Sequence, residues 1–266
     1  MQTILGAGGS IGPSLARALT AYTEDIRLVS RHPKQVNPTD KLMPADLTDE
    51  AAIDKAVAGS EVVYLTIGLP YKTSVWENQW PRLVRAVLQS CERHGARLVF
   101  FDNIYSYDLS CLNHMTEICP LNPPSRKGKV RRELVTLIQE AIDRQKVQAL
   151  IARSADFLGT KNSILVETVY NNLVKGRKGS WFCSLDHVHQ FTYTEDAARA
   201  TAQLGNTADA YGQTWHLPTD GVRRTGREWI ALFAREMKGP EGARAFPAWS
   251  FSVLGLFVPV LKELKE

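Results

Sequence analysis

An α/β fold of the Rossmann type, a doubly wound parallel sheet with a small C-terminal substrate lobe, is what this sequence predicts. Three observations carry that expectation. Short β-branched or aliphatic runs alternate with longer helical patterns, and that alternation implies βαβ units with parallel strands. A glycine-rich turn separates the first apolar run from the first helical pattern. The runs themselves carry few charges, as strands covered on both faces require.

In chain order the strands are expected at residues 3–5, 26–29, 62–67, 97–101 and 147–152, with a third strand lying before Asp46. Helices are expected between them at 11–21, 49–58, 75–93 and 127–145. After Arg153 the rhythm changes to a helix at 164–175, short segments at Trp181 and Phe191, a helix at 195–204 and a strand at 215–217. These boundaries predict a cofactor-binding Rossmann core over 1–160. Residues 161–266 then form a mixed substrate-side lobe that returns elements to the core and is not an independent domain. The segment 108–125, polar and holding Pro120, Pro123 and Pro124, reads as a surface loop over a site.

Composition narrows the function classes. With 266 residues, 44% hydrophobic and 23% charged, the chain can bury one large core or a core with a satellite. A formal charge of +4 falls far short of a dedicated nucleic-acid binder, so no nucleic-acid partner is expected. Cys91, Cys111, Cys119 and Cys183 have no metal-finger spacing and are sparse for a disulfide scaffold, which suits reduced thiols and a cytoplasmic location. The apolar stretch 246–261 holds two prolines and spans about 16 residues, short of the roughly 20 that cross a bilayer, so it reads as buried or lid-forming and no membrane partner is expected.

The strongest motif is Gly6-Ala7-Gly8-Gly9-Ser10-Ile11-Gly12, placed where a first strand ends and a helix begins. Glycine there permits a sharp turn and close backbone approach to a pyrophosphate, while the helix start offers free N–H groups to that anion. Nineteen positions after Gly12 the second strand ends in Ser30-Arg31, where an NAD enzyme usually places an acid against the ribose 2′-hydroxyl. Arg31 offers positive charge to a 2′-phosphate, so NADP is expected and NAD is less favoured. Asp46 and Leu47 after the third strand, and Ile67 and Gly68 after the fourth, complete the expected cofactor contacts. Asp46 is read either as an acceptor for the adenine amino group or as part of a helix start with Thr48 and Asp49.

With these motifs stand Asp102-Asn103-Ile104-Tyr105-Ser106-Tyr107, Lys127-Gly128-Lys129-Val130-Arg131 and Arg153-Ser154-Ala155-Asp156-Phe157-Leu158-Gly159. In that order they resemble the extended short-chain dehydrogenase/reductases, the NAD-dependent epimerase/dehydratase family, over nearly the whole chain. The resemblance implies a serine or threonine that polarises a carbonyl, a tyrosine that moves the proton, and a lysine four residues on that holds the nicotinamide ribose. The matching positions are Asn103, Lys127 and Arg131, and all three differ from the pattern. The same resemblance places Asp156 beside the nicotinamide carboxamide or the substrate.

Asn103 can still donate to a carbonyl, and Arg131 keeps a fixed positive charge for the ribose. Lys127 and Arg131, at i and i+4, share a helix face, where like charge and the helix start favour a neutral amine fit for proton transfer. Against this stands a solvated basic edge made of Arg126, Lys127, Lys129, Arg131 and Arg132. Tyr105 is the substitute phenol, or a packing residue. His187 and His189 would share a strand face, but without a third ligand no metal is expected.

The resulting expectation is an NADP-dependent oxidoreductase or epimerase-type enzyme acting on a small carbonyl or sugar-like substrate. The alternative is a non-catalytic NADP-binding redox sensor or regulator. A small-molecule substrate is the expected partner, with a homodimer left open.

Overall fold

In the computed structural model, which describes residues 1–247 together with Trp249 and Glu263, eleven strands and seven α-helices follow one another. The strands are β1 (Gln2–Leu5), β2 (Ile26–Ser30), β3 (Lys41–Pro44), β4 (Val62–Leu65), β5 (Arg97–Asn103), β6 (Ala149–Ser154), β7 (Asp156–Leu158), β8 (Gly179–Phe182), β9 (Phe191–Tyr193), β10 (Thr214–His216) and β11 (Ala243–Phe246). The helices are α1 (Gly12–Leu19), α2 (Glu50–Val57), α3 (Thr73–His94), α4 (Arg126–Asp143), α5 (Asn171–Val174), α6 (Thr194–Gly205) and α7 (Gly226–Glu236).

Seven strands form one parallel sheet in the order β10-β6-β5-β4-β1-β2-β3. The order reverses between β1 and β4, which is where a doubly wound sheet opens a crevice at the carboxyl ends of its strands. Central β1, β4 and β6 are buried at every residue, whereas edge strand β3 is mostly exposed. That contrast explains why the inner strands read as mainly apolar runs and β3 did not.

The strands and helices expected before Arg153 are present, with ends moved by at most two residues. The fourth strand stops at Leu65, leaving Thr66 to Gly68 as a turn beside the glycine loop. Beyond that point the helix expected at 164–175 is present as one helical run over 164–174, whose middle, Val166–Tyr170, is a π-helical turn that runs into the four residues of α5. The helix at 195–204 is α6, and the strand at 215–217 is β10 at the edge of the main sheet.

The chain divides into two units. The first comprises Met1–Ser154 and Thr194–Pro218, so α6 and β10 belong with the large sheet. The second comprises Ala155–Tyr193 and the chain from Thr219; it holds the two-stranded sheets β7–β9 and β8–β11 and a core of Leu165, Val169, Trp181, Phe191, Trp229 and Ile230. Of the stretch 246–261, expected as a buried or lid-forming segment, only Phe246, Pro247 and exposed Trp249 fall within the described residues. No described helix is long and apolar enough to cross a membrane.

Candidate functional site

The crevice is built by the glycine loop between β1 and α1. Gly6 adopts φ +96, and a Cβ there would stand 2.6 Å from the Ile67 Cα. A Cβ on Gly12 would meet the Ala7 carbonyl oxygen at 2.3 Å. The protein's own packing therefore demands these two glycines. Gly8 and Gly68 differ: a Cβ on Gly8 would first meet the Ser30 Oγ at 3.8 Å, and one on Gly68 would meet nothing within 4 Å. Both are exposed, so their bare backbone forms an open wall.

Ile11, the N-cap of α1, supplies no side-chain cap, so first-turn N–H groups of α1 remain available to an anion. Gly9 continues the loop through its N–H on the Gly6 carbonyl at 2.9 Å, and Ser10 leads into the helix. Ser30 has a buried Oγ with no partner among the described residues, an orphan a ligand hydroxyl or phosphate would satisfy. Arg31 next to it is exposed. Asp46 is exposed and Leu47 buried; Asp46 Oδ1 accepts from the Thr48 N–H at 3.0 Å and the Thr48 hydroxyl at 2.9 Å. Those bonds, helped by the nearby Arg31 charge, hold its carboxyl below the usual range. The cap of α2 is Asp49, which accepts from the Ala51 N–H at 2.9 Å. Asp46 thus closes a turn through one carboxylate oxygen.

The altered triad positions lie where β5 ends and α4 begins. Asn103 Oδ1 caps the 3₁₀ turn Ile104–Ser106 by accepting from the Tyr105 N–H at 3.1 Å. Gly128 lets α4 start against that turn, since a Cβ there would stand 2.6 Å from the Tyr105 carbonyl oxygen. Ser125 caps the helix, accepting from the Gly128 N–H at 3.0 Å. Lys127 is thereby turned inward: it is 2% exposed, and its Nζ lies 4.6 Å from the centre of the Tyr71 ring.

The basic-edge reading is corrected by this geometry. Arg126, Lys129 and Arg132 are exposed, with Arg126 paired to Glu77, whereas Lys127 and Arg131 are buried. The ribose role for Arg131 meets a different employment. Its Nε donates to Asp102 Oδ1 at 2.8 Å, its Nη2 to the same oxygen, and its guanidinium lies 4.8 Å from the Trp80 ring and 5.0 Å from Phe100. Asp102 Oδ2 accepts from Arg153 Nε at 2.9 Å. Two arginines share one carboxylate, so the buried trio keeps one net positive charge. Tyr105 stacks on Trp76 with centres 6.2 Å apart at 21°, a packing contact.

The sequence reading missed Asp102 and Arg153. Their signal was a charge inside an otherwise apolar strand, which burial forces into a pair. It missed the outward continuation as well. Arg153 lies 4.5 Å from the Tyr107 ring centre, the Tyr107 hydroxyl meets His216 Nε2 at 2.6 Å, and Glu117 Oε1 accepts from the His216 N–H at 2.9 Å. Burial raises the Tyr107 pKa and lowers that of His216. Burial alone would raise Glu117, but the His216 N–H and nearby positive charge outweigh it and hold its carboxyl down.

Asp156, an expected cofactor contact, lies on β7 in the second unit, where its Oδ2 meets His189 Nε2 at 2.9 Å. His187 and His189 do not share a strand: both precede β9, and His189 stacks on Phe191 with centres 4.6 Å apart. No group of three or more metal-ligating side chains occurs among the described residues.

Comparisons with known proteins agree with this fold. The NAD dependent epimerase/dehydratase family matches residues 3–216. No curated protein matches the chain in sequence. Epimerase Mth375 of Methanothermobacter thermautotrophicus is a similar solved structure, with TM-score 0.80, 13% identity, and coverage of 92% of this chain and 79% of that one. UDP-glucose 4-epimerase of Thermus thermophilus, solved with NAD, has TM-score 0.76 and 16% identity over 93% and 86% of the two chains. DesIV, the dTDP-glucose 4,6-dehydratase of Streptomyces venezuelae, has TM-score 0.78 and 16% identity over 93% and 84%. At such identities the likeness is one of fold.

Proposed function

This chain belongs to the NAD-dependent epimerase/dehydratase family, and from that premise we propose that it is an NADP-dependent oxidoreductase or epimerase-type enzyme acting on a small carbonyl or sugar-like substrate, with a lysine in place of the phenol. The observation that carries the reading is Lys127, 2% exposed at the head of α4 with its Nζ over the Tyr71 ring.

The glycine-loop crevice suits a dinucleotide. Its orphaned Ser30 Oγ and the open backbone at Gly8 and Gly68 leave polar and steric room that the protein does not use. The loop from Gly8 to Gly12 with the first turn of α1 would hold the pyrophosphate. Arg31, with no acid at that position, would pair with a 2′-phosphate, and Ser30 would donate to the same ribose. Ile67 and Gly68 would line the opposite side, with Asp46 near the adenine. When bound, the nicotinamide supplies or accepts a hydride.

The chain's residues would do the rest. Asn103 would orient the carbonyl through its amide N–H, since its oxygen is held by the Tyr105 N–H. Lys127 Nζ would give or take the proton from its buried place at the head of α4. Arg131 and Arg153, locked on Asp102, would supply positive charge and a rigid floor in place of a ribose contact.

A second reading has its own support. The arginine standing where the family's ribose-holding lysine stands is committed to Asp102, and no tyrosine stands at Lys127, which suits a non-catalytic NADP-binding redox sensor. Turnover of NADPH with a panel of aldehydes, ketones and nucleotide sugars separates the two. Consumption that Lys127→Met abolishes supports the enzyme; tight NADPH binding without turnover on any panel member supports the sensor.

A further inference from the structure

One end of the second unit concentrates the positive charge of the chain. The helical run that closes with α5 ends at Val174, and the chain turns through Gly176, at φ +66, and Lys178 into β8; the Arg177 N–H donates to the Asn172 carbonyl at 2.9 Å and fixes that turn. α7 ends in a similar turn, where Lys238 adopts φ +50 and the Gly239 N–H donates to the Ala234 carbonyl at 2.9 Å. The two turns lie side by side. A Cβ on Gly239 would stand 3.1 Å from Leu173 Cδ2, one on Gly242 would stand 3.3 Å from Lys178 Nζ, and the strands that follow pair in parallel from Gly179 and Ala243. Residues 175–178 and 235–244 carry Lys175, Arg177, Lys178, Arg235, Lys238 and Arg244 against Glu236 and Glu241, a surplus of four charges, equal to the formal +4 of the whole chain. All of these charged residues are exposed.

Pairing within the chain accounts for little of this charge. Among the described residues Arg235 meets Glu236 at 2.8 Å and Arg244 lies 5.0 Å from the Phe246 ring centre, whereas Lys175, Arg177, Lys178 and Lys238 make no ion pair. Cations near helix ends also answer the helix dipole, which carries about half a negative charge at each C-terminus. The two helix ends here therefore offset about one charge of the four, and the rest faces solvent. Apolar side chains stand beside it: Tyr170 is 44% exposed and Val174 61%, four residues apart on the helical run, with Val174 next to Lys175. The nearest acid on that run, Glu167, lies eight residues before Lys175.

We propose that this end of the second unit docks on an anionic lipid surface, with the cations among the headgroups and the Tyr170 ring and Val174 in the interfacial layer. The combination of charge and apolar surface selects the occupant. An acidic peptide would answer the charge and leave Tyr170 and Val174 in water. A nucleic acid would stack its bases on successive exposed aromatic rings, and the helical run offers one. A bilayer carrying acidic headgroups satisfies both, because Lys and Arg reach the headgroups while their stems and a tyrosine ring lie at the apolar boundary. A peripheral contact needs no spanning segment, so the expectation of no membrane partner, drawn from the shortness of 246–261, does not reach it. Its electrostatic part extends about 10 Å at about 0.1 M salt, so the attachment weakens as salt rises. It rests on neither reading of the cofactor crevice.

The test sediments the full chain with vesicles of phosphatidylcholine containing about one-third phosphatidylserine, and with vesicles of phosphatidylcholine alone. The wild type should bind the first at about 0.1 M salt, lose most of that binding at about 0.5 M, and ignore the second. Each cation at an anionic surface is worth roughly a fivefold change in partition, so Lys175→Gln/Arg177→Gln/Lys178→Gln should weaken binding by about a hundredfold. Tyr170→Ser/Val174→Ser keeps every charge and should weaken it by about tenfold. Lys129→Gln/Arg132→Gln, which removes exposed charge from α4, should leave it within about twofold. Equal binding to both vesicles, no sedimentation with the anionic vesicles at low salt, or as large a loss in the α4 variant as in the triple variant would each overturn the proposal. So would tighter binding to a poly-glutamate peptide or a single-stranded oligonucleotide than to the vesicles, unaffected by Tyr170→Ser/Val174→Ser, which would reassign the patch to an acidic protein or to nucleic acid. The salt and lipid comparisons on the wild type stand even if a variant fails to fold.

Discussion

Asp102 holds Arg131 and Arg153 at once, Oδ1 to the Arg131 Nε at 2.8 Å and Oδ2 to the Arg153 Nε at 2.9 Å, with no side chain of the three more than 4% exposed. Removing the shared carboxylate strands two buried cations. Asp102→Ala should therefore lower stability by about 3–5 kcal/mol, the usual cost of breaking a buried ion pair from one side. Denaturant unfolding measures it, and a loss under about 1 kcal/mol would mean that the arginines find water or other acceptors.

The glycine loop separates folding from binding. Gly12→Ala places a methyl 2.3 Å from the Ala7 carbonyl oxygen and should unfold or strongly destabilise the protein. Gly8→Ala meets only Ser30 at 3.8 Å, so stability should hold within about 0.5 kcal/mol while NADPH affinity falls about tenfold or more. Gly9 is a poorer probe, because a side chain there already crowds the Gly6 carbonyl at 3.2 Å. Thermal unfolding and NADPH titration of the two alanine variants provide the check; undiminished affinity in Gly8→Ala would leave the loop as a turn and nothing more.

In the proposed reading cofactor choice rests on Arg31, exposed at the end of β2 with no acid beside it. Arg31→Ala should weaken NADP by roughly 1.5–3 kcal/mol, about 10–150-fold, the worth of a charge-assisted phosphate contact. NAD affinity should stay unchanged. Calorimetry with both nucleotides decides it, and an equal effect on the two would reassign Arg31 to the pyrophosphate or to the surface.

How much of this was legible beforehand depended on whether the signal was local. Gly6 and Gly12 could be read because glycine at a strand-to-helix turn has a local backbone cause. β1, β4 and β6 could be read because burial on both faces leaves an apolar run. The pairing of Arg131 could not, because helix periodicity places it on one face with Lys127 without saying that Asp102, 29 residues before it, is its partner. The π-helical turn at Val166–Tyr170 was read as plain helix because its apolar spacing is helical either way. His187 and His189 were read on a strand that begins only at Phe191.

Acid should loosen the chain through His216. Burial lowers its pKa beneath the ordinary 6.5, so the folded state binds fewer protons than the unfolded chain in the window just below that value. Its contribution to stability is therefore complete above 6.5 and is lost as pH falls through the depressed folded value. His216→Gln keeps a hydrogen-bonding group beside the Tyr107 hydroxyl but does not titrate. Unfolding midpoints between about pH 7.5 and about pH 5 should fall less steeply in the variant than in the wild type. Parallel curves would show that the imidazole is protonated in the folded protein without cost.

The proton-transfer assignment is tested by setting Lys127 against Tyr105. Lys127→Met keeps the length and burial of the side chain and removes the amine, so turnover should fall about 10²–10⁴-fold, the range general acid–base catalysis contributes. NADPH affinity should stay nearly unchanged, because the proposed cofactor contacts lie at the glycine loop and Arg31. Tyr105→Phe preserves the stack on Trp76 and removes only a hydroxyl, so activity should survive. An inactive Tyr105→Phe beside an active Lys127→Met would move the proton to the phenol and leave Lys127 as a buried cation over Tyr71.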